Sequence, residues 1–212
     1  MPASRLIDVA LSAFGLALGA PLLLAAAVGI RLTSPGPILY HAERVGKDGR
    51  PFVMYKLRTM RPAAGGALVT SAHDDRIFPF GVFLRRTKID ELPQLLNILR
   101  GDMSVVGPRP EAPSIVEQHY TEAEWETLRV RPGLTSPGTL WYFLHGEEMI
   151  DSKDTMGSYL PIMREKLRLD AEYARNPSLG TDLGLIGQTL VVIARKLARG
   201  SRSLSATGRG TS

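Results

Sequence analysis

Cysteine is absent from the 212 residues of this chain, and histidine is scarce. Without cysteine the protein has no disulfide, no thiolate nucleophile and no cysteine-ligated zinc site, which is compatible with a reducing cytoplasmic setting. The four histidines lie far apart and form no HExxH or similar pair. We therefore expect each histidine to be a surface or core residue rather than a metal ligand.

Several signatures of nucleotide and nucleic-acid binding are also missing. The chain has no internal repeat, no Gly-rich dinucleotide fingerprint and no P-loop, and its few aromatic residues (7%) do not alternate with cations as in an RNA-binding sheet. We therefore expect no nucleic-acid partner. What the chain does have is a net charge of +5 and a pI near 9.7, which favour acidic lipid headgroups or phosphorylated small molecules. Its length is that of one domain.

The longest uncharged run covers residues 9–30 and is close to the ~20 residues that a membrane-crossing helix needs. Pro21, preceded by Ala20, lies near its middle and removes a backbone donor there. Basic residues stand on both sides of the run, so the positive-inside tendency would keep both ends in the cytoplasm. We predict that residues 1–33 form a re-entrant helix that enters one leaflet, bends at Ala20-Pro21 and returns. A single span, a secretory signal and a buried core helix are the alternatives.

Two adjacent carboxylates, Asp90 and Glu91, precede an apolar helix whose leucines recur at three- and four-residue spacing and which Gly101 ends. At the positive end of a helix a carboxylate is favoured as its anion, so either acid could serve as nucleophile or metal ligand. Helix capping is the alternative role for an isolated acid pair. A phosphate substrate is favoured by the cations before and after the pair, which are Arg85, Arg86, Lys88, Arg100 and Arg109.

Residues 52–60 alternate as a strand does, and Lys56 and Arg58 share one face. Two cations at a two-residue step stand roughly 7 Å apart, about right to bracket a diphosphate. A solvated edge-strand face is an equal alternative. Residues 46–50 predict the tip of a hairpin, and residues 61–75, with two adjacent glycines, predict a mobile loop.

The second half of the chain predicts three helices, over residues 114–130, 159–175 and 183–198. The last one ends in basic side chains and predicts an amphipathic interfacial helix over residues 183–200, although cations that only complement the helix dipole would give the same pattern. Residues 201–212 are small and polar, so we predict a disordered tail. Residues 34–182 then form the catalytic core.

Assembled in order, these motifs resemble those of the monotopic phosphoglycosyl transferases in the bacterial sugar transferase family. The stretches that carry the resemblance are Arg5-Leu6-Ile7-Asp8, Tyr55-Lys56-Leu57-Arg58-Thr59-Met60, Asp90-Glu91-Leu92-Pro93-Gln94, Arg100-Gly101-Asp102-Met103-Ser104, Gly107-Pro108-Arg109-Pro110, Arg131-Pro132-Gly133 and Tyr173-Ala174-Arg175-Asn176. Many members have Ser-Pro where this chain has Ala20-Pro21, and Gly where it has Ser136-Pro137.

The resemblance implies an α-rich α/β fold with a re-entrant membrane helix, amphipathic interface helices and a small mixed catalytic core. It implies a monotopic enzyme on the cytoplasmic face of the bacterial inner membrane that moves a sugar 1-phosphate from a UDP-sugar to undecaprenyl phosphate, releasing UMP. This reaction would be the first membrane step of exopolysaccharide, O-antigen, capsule or glycoprotein glycan assembly. A homodimer is an assembly left open. A basic membrane adaptor without enzyme activity and a metal-dependent phosphohydrolase are the alternative functions.

The resemblance also assigns roles to residues. Asp90 would be the nucleophile that forms an aspartyl phosphosugar, and Glu91 would hold Mg²⁺, a hard cation that prefers carboxylate and phosphate oxygens. Asp170 would be a supporting residue. The candidate phosphate contacts are Lys56, Arg58, Arg86, Arg109 and Arg131.

Overall fold

A computed structural model describes residues 2–61, 74–146, 149–150 and 154–207. The chain is rich in helices and carries two small sheets, in agreement with the α/β prediction. The helices are α1 (Pro2–Thr33), α2 (Pro79–Thr87), α3 (Gln94–Arg100), α4 (Pro113–His119), α5 (Glu122–Trp125), α6 (Pro137–Trp141), α7 (Thr155–Arg175) and α8 (Leu179–Thr207). The strands are β1 (Leu39–Val45), β2 (Pro51–Leu57), β3 (Ser104–Val106) and β4 (Gly133–Thr135).

Helix α1 is the longest element, and it continues through Pro21 without interruption. It alone among the described helices is long and apolar enough to cross a membrane. One side packs along the rest of the protein at three- to four-residue spacing, from Asp8 and Ser12 to Ala26 and Ile30. The opposite side exposes large apolar side chains, namely Leu6, Val9, Leu11, Phe14, Leu18, Leu22, Leu24, Val28 and Leu32.

Strands β1 and β2 form an antiparallel hairpin with Leu39 opposite Leu57. A short turn with positive φ at Asp48 (57°) and Gly49 (75°) reverses the chain, which confirms the predicted hairpin tip. Strands β3 and β4 pair in parallel. They approach so closely that a Cβ added at Gly107 would lie 2.2 Å from the Arg131 carbonyl oxygen, and only glycine fits there.

The hydrophobic core joins α1 to the hairpin through α3. Ala42 and Met54 of the hairpin meet Leu95 and Ile98 of α3, and Leu16 of α1 packs against the same cluster. A second cluster places Ala26, Ile30, Leu57, Phe78, Leu84 and Ile89 together beneath the acid pair. Both clusters draw on α1, so this helix is part of the folded core as well as its most apolar surface.

Three sequence predictions need correction or extension. The helix predicted over residues 114–130 is broken, because α4 ends at His119 and Thr121 starts α5 with a capping box to Glu124. Helix α7 confirms the second predicted helix. Helix α8 is longer than predicted and includes residues 201–207, for which disorder was expected. Most of the predicted mobile loop, residues 62–73, lies outside the described residues.

Candidate active site

The acid pair lies in a tight turn between α2 and α3. Lys88 adopts a left-handed conformation (φ 58°) that ends α2, and Ile89–Glu91 then form one turn of 3₁₀ helix. Pro93 fixes the entry into α3, which Gly101 ends at φ 95°. The predicted helix is therefore preceded by a separate turn, and that turn presents both carboxylates.

Asp90 is almost fully buried, with 2% of its surface exposed. Its Oδ2 atom lies 3.1 Å from the Lys56 ammonium nitrogen on β2. Its Oδ1 atom has no hydrogen-bond partner within the described part of the chain. Because a buried carboxylate oxygen without a donor is costly, this atom marks Asp90 as a candidate reactive group within the described part of the chain.

Glu91 is held by two cations. Arg109 donates from Nη2 to Glu91 Oε1 at 3.0 Å, and the Lys56 ammonium lies 3.4 Å from the same oxygen. Burial opposes ionisation of Glu91, but Arg109 and Lys56 outweigh it and lower its pKa well below the usual value. Glu91 in turn raises the pKa of Arg109. Lys56 therefore bridges both acids, and Glu91 stays ionised.

Asn97 places Lys56 above the pair, a role that no local sequence pattern indicates. Asn97 is fully buried in α3, donates from Nδ2 to the Val53 carbonyl at 2.7 Å and accepts from the Tyr55 amide at 3.0 Å. These two bonds attach β2 to the helix that follows the acid pair. The register of Lys56 over Asp90 is fixed as a result.

Arg85, rather than Arg86, is the arginine of α2 that is partly buried and close enough for the acids to act on its charge, and it forms no ion pair with either acid among the described residues. The charges of Asp90 and Glu91 act on Arg85, whose burial lowers its pKa, and its Nε donates to Thr59 Oγ1 at 3.0 Å. Arg86 is exposed. Arg85 lies one turn after Gly81 and directly after Leu84, both buried. That periodicity is the signal by which the sequence could have separated the two arginines.

The remaining predicted cations bind loops. Arg58 is buried and donates to the Ser34 hydroxyl at 2.7 Å and to the Ser34 and Pro37 carbonyls, which fastens the turn after α1. Arg131 donates to the Gly101 carbonyl at 2.9 Å, at the end of α3. Neither forms an ion pair with the acids among the described residues.

Asp170 lies in α7 behind the site and supports α6. Its Oδ1 accepts the Gly138 amide at 2.8 Å, in the first turn of α6. Burial raises the pKa of Asp170 to about 6, and the hydrogen bonds from Gly138 and Ser136 offset this only in part. The predicted supporting residue thus contacts backbone rather than the acid pair.

The donor set fits Mg²⁺ better than a transition metal. Within the described residues no group of three or more His, Asp or Glu side chains could enclose an ion. Mg²⁺ is commonly held by one or two carboxylates together with substrate phosphates and water. Glu91 and Asp90, whose Oδ1 atom has no hydrogen-bond partner in the described ranges, supply that kind of oxygen. The residues present therefore fit the expected ion.

A buried acid pair bridged by lysine and paired with an arginine is typical of a site that binds phosphate esters, and the apolar outer side of α1 is typical of a membrane-associated protein. Comparison with known proteins makes this more specific. A family model described as bacterial sugar transferase matches residues 1–196. The chain belongs to this family, is a phosphoglycosyl transferase, and confirms the resemblance seen in its motifs.

Similar proteins carry names for related reactions. A UDP-glucose:undecaprenyl-phosphate glucose-1-phosphate transferase of Caulobacter vibrioides is 40% identical over 88% of this chain and 67% of its own length. An Escherichia coli protein of the same name is 36% identical over 88% of this chain, and an Aeromonas hydrophila UDP-N-acetylgalactosamine-undecaprenyl-phosphate N-acetylgalactosaminephosphotransferase is 37% identical over 89%. The chain spans only 39% and 43% of the lengths of these last two proteins.

Proposed function

We propose that the protein transfers a sugar 1-phosphate from a UDP-sugar to undecaprenyl phosphate and releases UMP. The observation that carries this proposal is Asp90, a buried carboxylate with one oxygen bound to Lys56 and the other without a hydrogen-bond partner among the described residues. The names of the similar proteins support both substrates. They differ in the sugar, so the sugar of this protein is left open. The product would start exopolysaccharide-type glycan assembly.

Two displacements at phosphorus account for the arrangement. Asp90 attacks the sugar-linked phosphorus, an aspartyl phosphosugar forms, and the bond to the UMP oxygen breaks. An oxygen of undecaprenyl phosphate then attacks the same phosphorus, and the Asp90 carboxylate leaves. Lys56 orients Asp90, while Arg85 and Arg109 stabilise the charge on the phosphoryl oxygens. The intermediate lets the soluble donor leave before the lipid arrives.

Mg²⁺ is the proposed cofactor, with Glu91 as its protein ligand. When bound, the ion neutralises charge on the diphosphate and makes UMP a better leaving group. Arg109 and Lys56 hold Glu91 in its ionised form, which is the form in which a carboxylate binds a cation. The other predicted phosphate contacts are Arg58, Arg86 and Arg131. Their side chains would have to move from the positions described above before they could contact the phosphates of the UDP-sugar.

The proposed membrane arrangement is argued from the contacts at the two ends of α1. Near its start, Arg5 donates to the Ile98 and Leu99 carbonyls at the end of α3, and near its end Ile30 packs against Phe78. Both ends of α1 therefore contact the same core, which supports a helix that enters and leaves one face of the membrane. We place this face on the cytoplasmic side of the bacterial inner membrane, with α8 at the interface. A homodimer stays a prediction.

The test is UMP release from a panel of UDP-sugars with Mg²⁺ and undecaprenyl phosphate. The wild-type protein should release UMP with at least one donor, and mass spectrometry without acceptor should detect the phosphosugar adduct on Asp90. Asp90→Asn should abolish both signals, whereas the exposed control Asp75→Asn should keep them. Full turnover by Asp90→Asn would refute the assignment of the nucleophile.

The same assay separates the two alternative functions. A phosphohydrolase would release free sugar phosphate into water without needing lipid. A membrane adaptor would bind liposomes, show no turnover and be indifferent to Asp90→Asn. Either result would refute the transferase proposal.

A further inference from the structure

One side of the acid turn and of α3 is polar, buried and covered by strand β2. Asp90, Gln94 and Asn97 form this side, at four- and three-residue spacing. The backbone stays helical from the 3₁₀ turn through Leu92 and Pro93 into α3, so these three side chains lie along one side of it. None of the three has more than 2% of its surface exposed.

Strand β2 contacts this side at both of its ends. The Lys56 ammonium lies 3.1 Å from Asp90 Oδ2, and the Asn97 side chain bonds to two backbone groups of the same strand. Gln94 stands between these two contacts along the helix. It therefore lies beneath the same strand, about one helical turn from the carboxylate that we propose as the nucleophile.

Gln94 differs from Asn97 in its hydrogen bonds. Asn97 uses both its amide nitrogen and its oxygen on β2. The Nε2 atom of Gln94 has no hydrogen-bond partner among the residues that the structure describes, and the same holds for Asp90 Oδ1. Burial of an amide donor without an acceptor lowers the stability of a folded protein. The described part of the fold thus leaves one donor and one carboxylate oxygen, both buried and a helical turn apart, without a structural use.

We propose that Gln94 is a substrate-contacting residue, whose Nε2 donates a hydrogen bond to an oxygen of the phosphoryl group that passes through Asp90. The inference rests on the proposed function. Gln94 forms no covalent bond and keeps its protons, while the phosphorus exchanges its bond to the UMP oxygen for one to Asp90 and then that bond for one to the lipid. Because the same phosphoryl group takes part in both displacements, Gln94 would stabilise both transition states. A neutral amide does this without adding charge beside Glu91.

Single-turnover measurements test this contact. Gln94→Met keeps the length and the unbranched shape of the side chain but cannot donate a hydrogen bond. It should slow both formation of the Asp90 adduct and transfer of the adduct to undecaprenyl phosphate about 100-fold, as expected for loss of one donor to a transition state. Mass spectrometry of the adduct measures the two rates separately. The same change at the exposed Gln118 of α4, Gln118→Met, is the matched control and should keep both rates. Unchanged rates in Gln94→Met, or a loss confined to one step, would overturn the proposal.

Thermal stability separates a substrate contact from a structural role. Because the Gln94 amide has no acceptor in the described part of the chain, an apolar side chain there should leave Tm unchanged or raise it by up to about 4 °C, although activity falls. Both Gln94→Met and Gln94→Leu are measured, so that a poor fit of one side chain does not decide the result. A lower Tm in both variants would show that Gln94 supports the fold through a hydrogen bond, and it would overturn the proposal.

Inorganic phosphate with Mg²⁺ tests the contact without turnover. At equal ionic strength, phosphate in place of chloride should raise the Tm of the wild type and of Gln118→Met, because a ligand that binds the folded state stabilises it. In Gln94→Met this rise should be at most about half as large. Equal rises in all three proteins, or no rise in the wild type, would overturn the proposal. A smaller rise in Gln94→Met, with a wild-type protein that releases no UMP from any UDP-sugar, would support the phosphate contact and refute only the proposed function.

Discussion

Asp170 makes the stability of the folded protein depend on pH, and the direction and size of this dependence follow from the burial of its carboxyl group. At 1% exposed it keeps its proton in the folded state up to about pH 6, whereas in the unfolded chain it would lose it near 3.8. The folded state is therefore stabilised by this group below about 3.8, and that contribution is lost as the pH rises through about 6. Above this range the protein carries a buried carboxylate that the hydrogen bond from Gly138 compensates only in part.

The magnitude follows from the two pKa values. Each pKa unit is worth about 1.4 kcal/mol, so the difference between 3.8 and about 6 corresponds to about 3 kcal/mol in the free energy of unfolding. Between about pH 4.5 and about pH 7.5 the linkage relation places about 2 kcal/mol of this change. For a chain of this length that amounts to about 4 to 8 °C in Tm.

Asp170→Asn isolates the effect because asparagine keeps an acceptor for the Gly138 amide and cannot titrate. The Tm of the variant minus the Tm of the wild type should be smaller at acidic pH. This Tm difference should be about 4 to 8 °C larger at about pH 7.5 than at about pH 4.5. Thermal unfolding in detergent micelles, followed by tryptophan fluorescence at both pH values, measures the difference. Only the Tm difference between variant and wild type is informative. Glu91 and Glu111 have lowered pKa values, so acidification destabilises the folded state of both proteins through these two groups.

A Tm difference between variant and wild type that is constant with pH would refute the reasoning. It would mean that Asp170 does not titrate in this range in the folded state. A difference that grows toward acidic pH would refute it as well, because its sign would require a lowered pKa. Glu165→Gln at the surface of α7 is a suitable control for removal of one acid.

Two further predictions separate residues that look alike in the sequence. Arg85→Ala should lower UMP release about 100-fold, as expected for losing one charge-stabilising donor, whereas Arg86→Ala should lower it less than about threefold. Equal losses would contradict the placement of Arg85. Gly107→Ala should abolish the folded protein, because its Cβ would meet the Arg131 carbonyl, while Gly184→Ala, with open space around it, should keep Tm within about 2 °C, as circular dichroism would show.

Local patterns predicted the elements of the fold well where one feature decided the structure. The turn residues between β1 and β2, and the glycine that ends α3, are in the positions that their sequence signals indicated. The broken helix after residue 113 was mispredicted because apolar spacing continued across Thr121, where a capping box starts a new helix instead. A local competition between capping and helix propagation decided that segment.

The candidate site was predictable in its acids and only in part in its cations. Lys56 and Arg109 lie beside the acid pair as their motifs indicated, but Arg58 has the same charge and strand spacing and points to the turn at Ser34. Contacts that join residues 40 to 55 positions apart, such as Asn97 with Val53 and Lys166 with Glu111, leave no local pattern. Tertiary packing alone determines them.

The inward side of α1 also limits how the chain can be truncated. Asp8 accepts bonds from the Ser104 hydroxyl and the Val105 amide, and Arg5 caps the carbonyls that end α3, so polar bonds as well as apolar packing attach this helix. Removal of α1 would leave α3 and β3 without these hydrogen-bond partners and would expose the hydrophobic core to solvent. Helix α1 is therefore not a membrane segment that could be removed without consequence. A truncated chain that starts after residue 33 would lose the folded catalytic core together with this apolar helix.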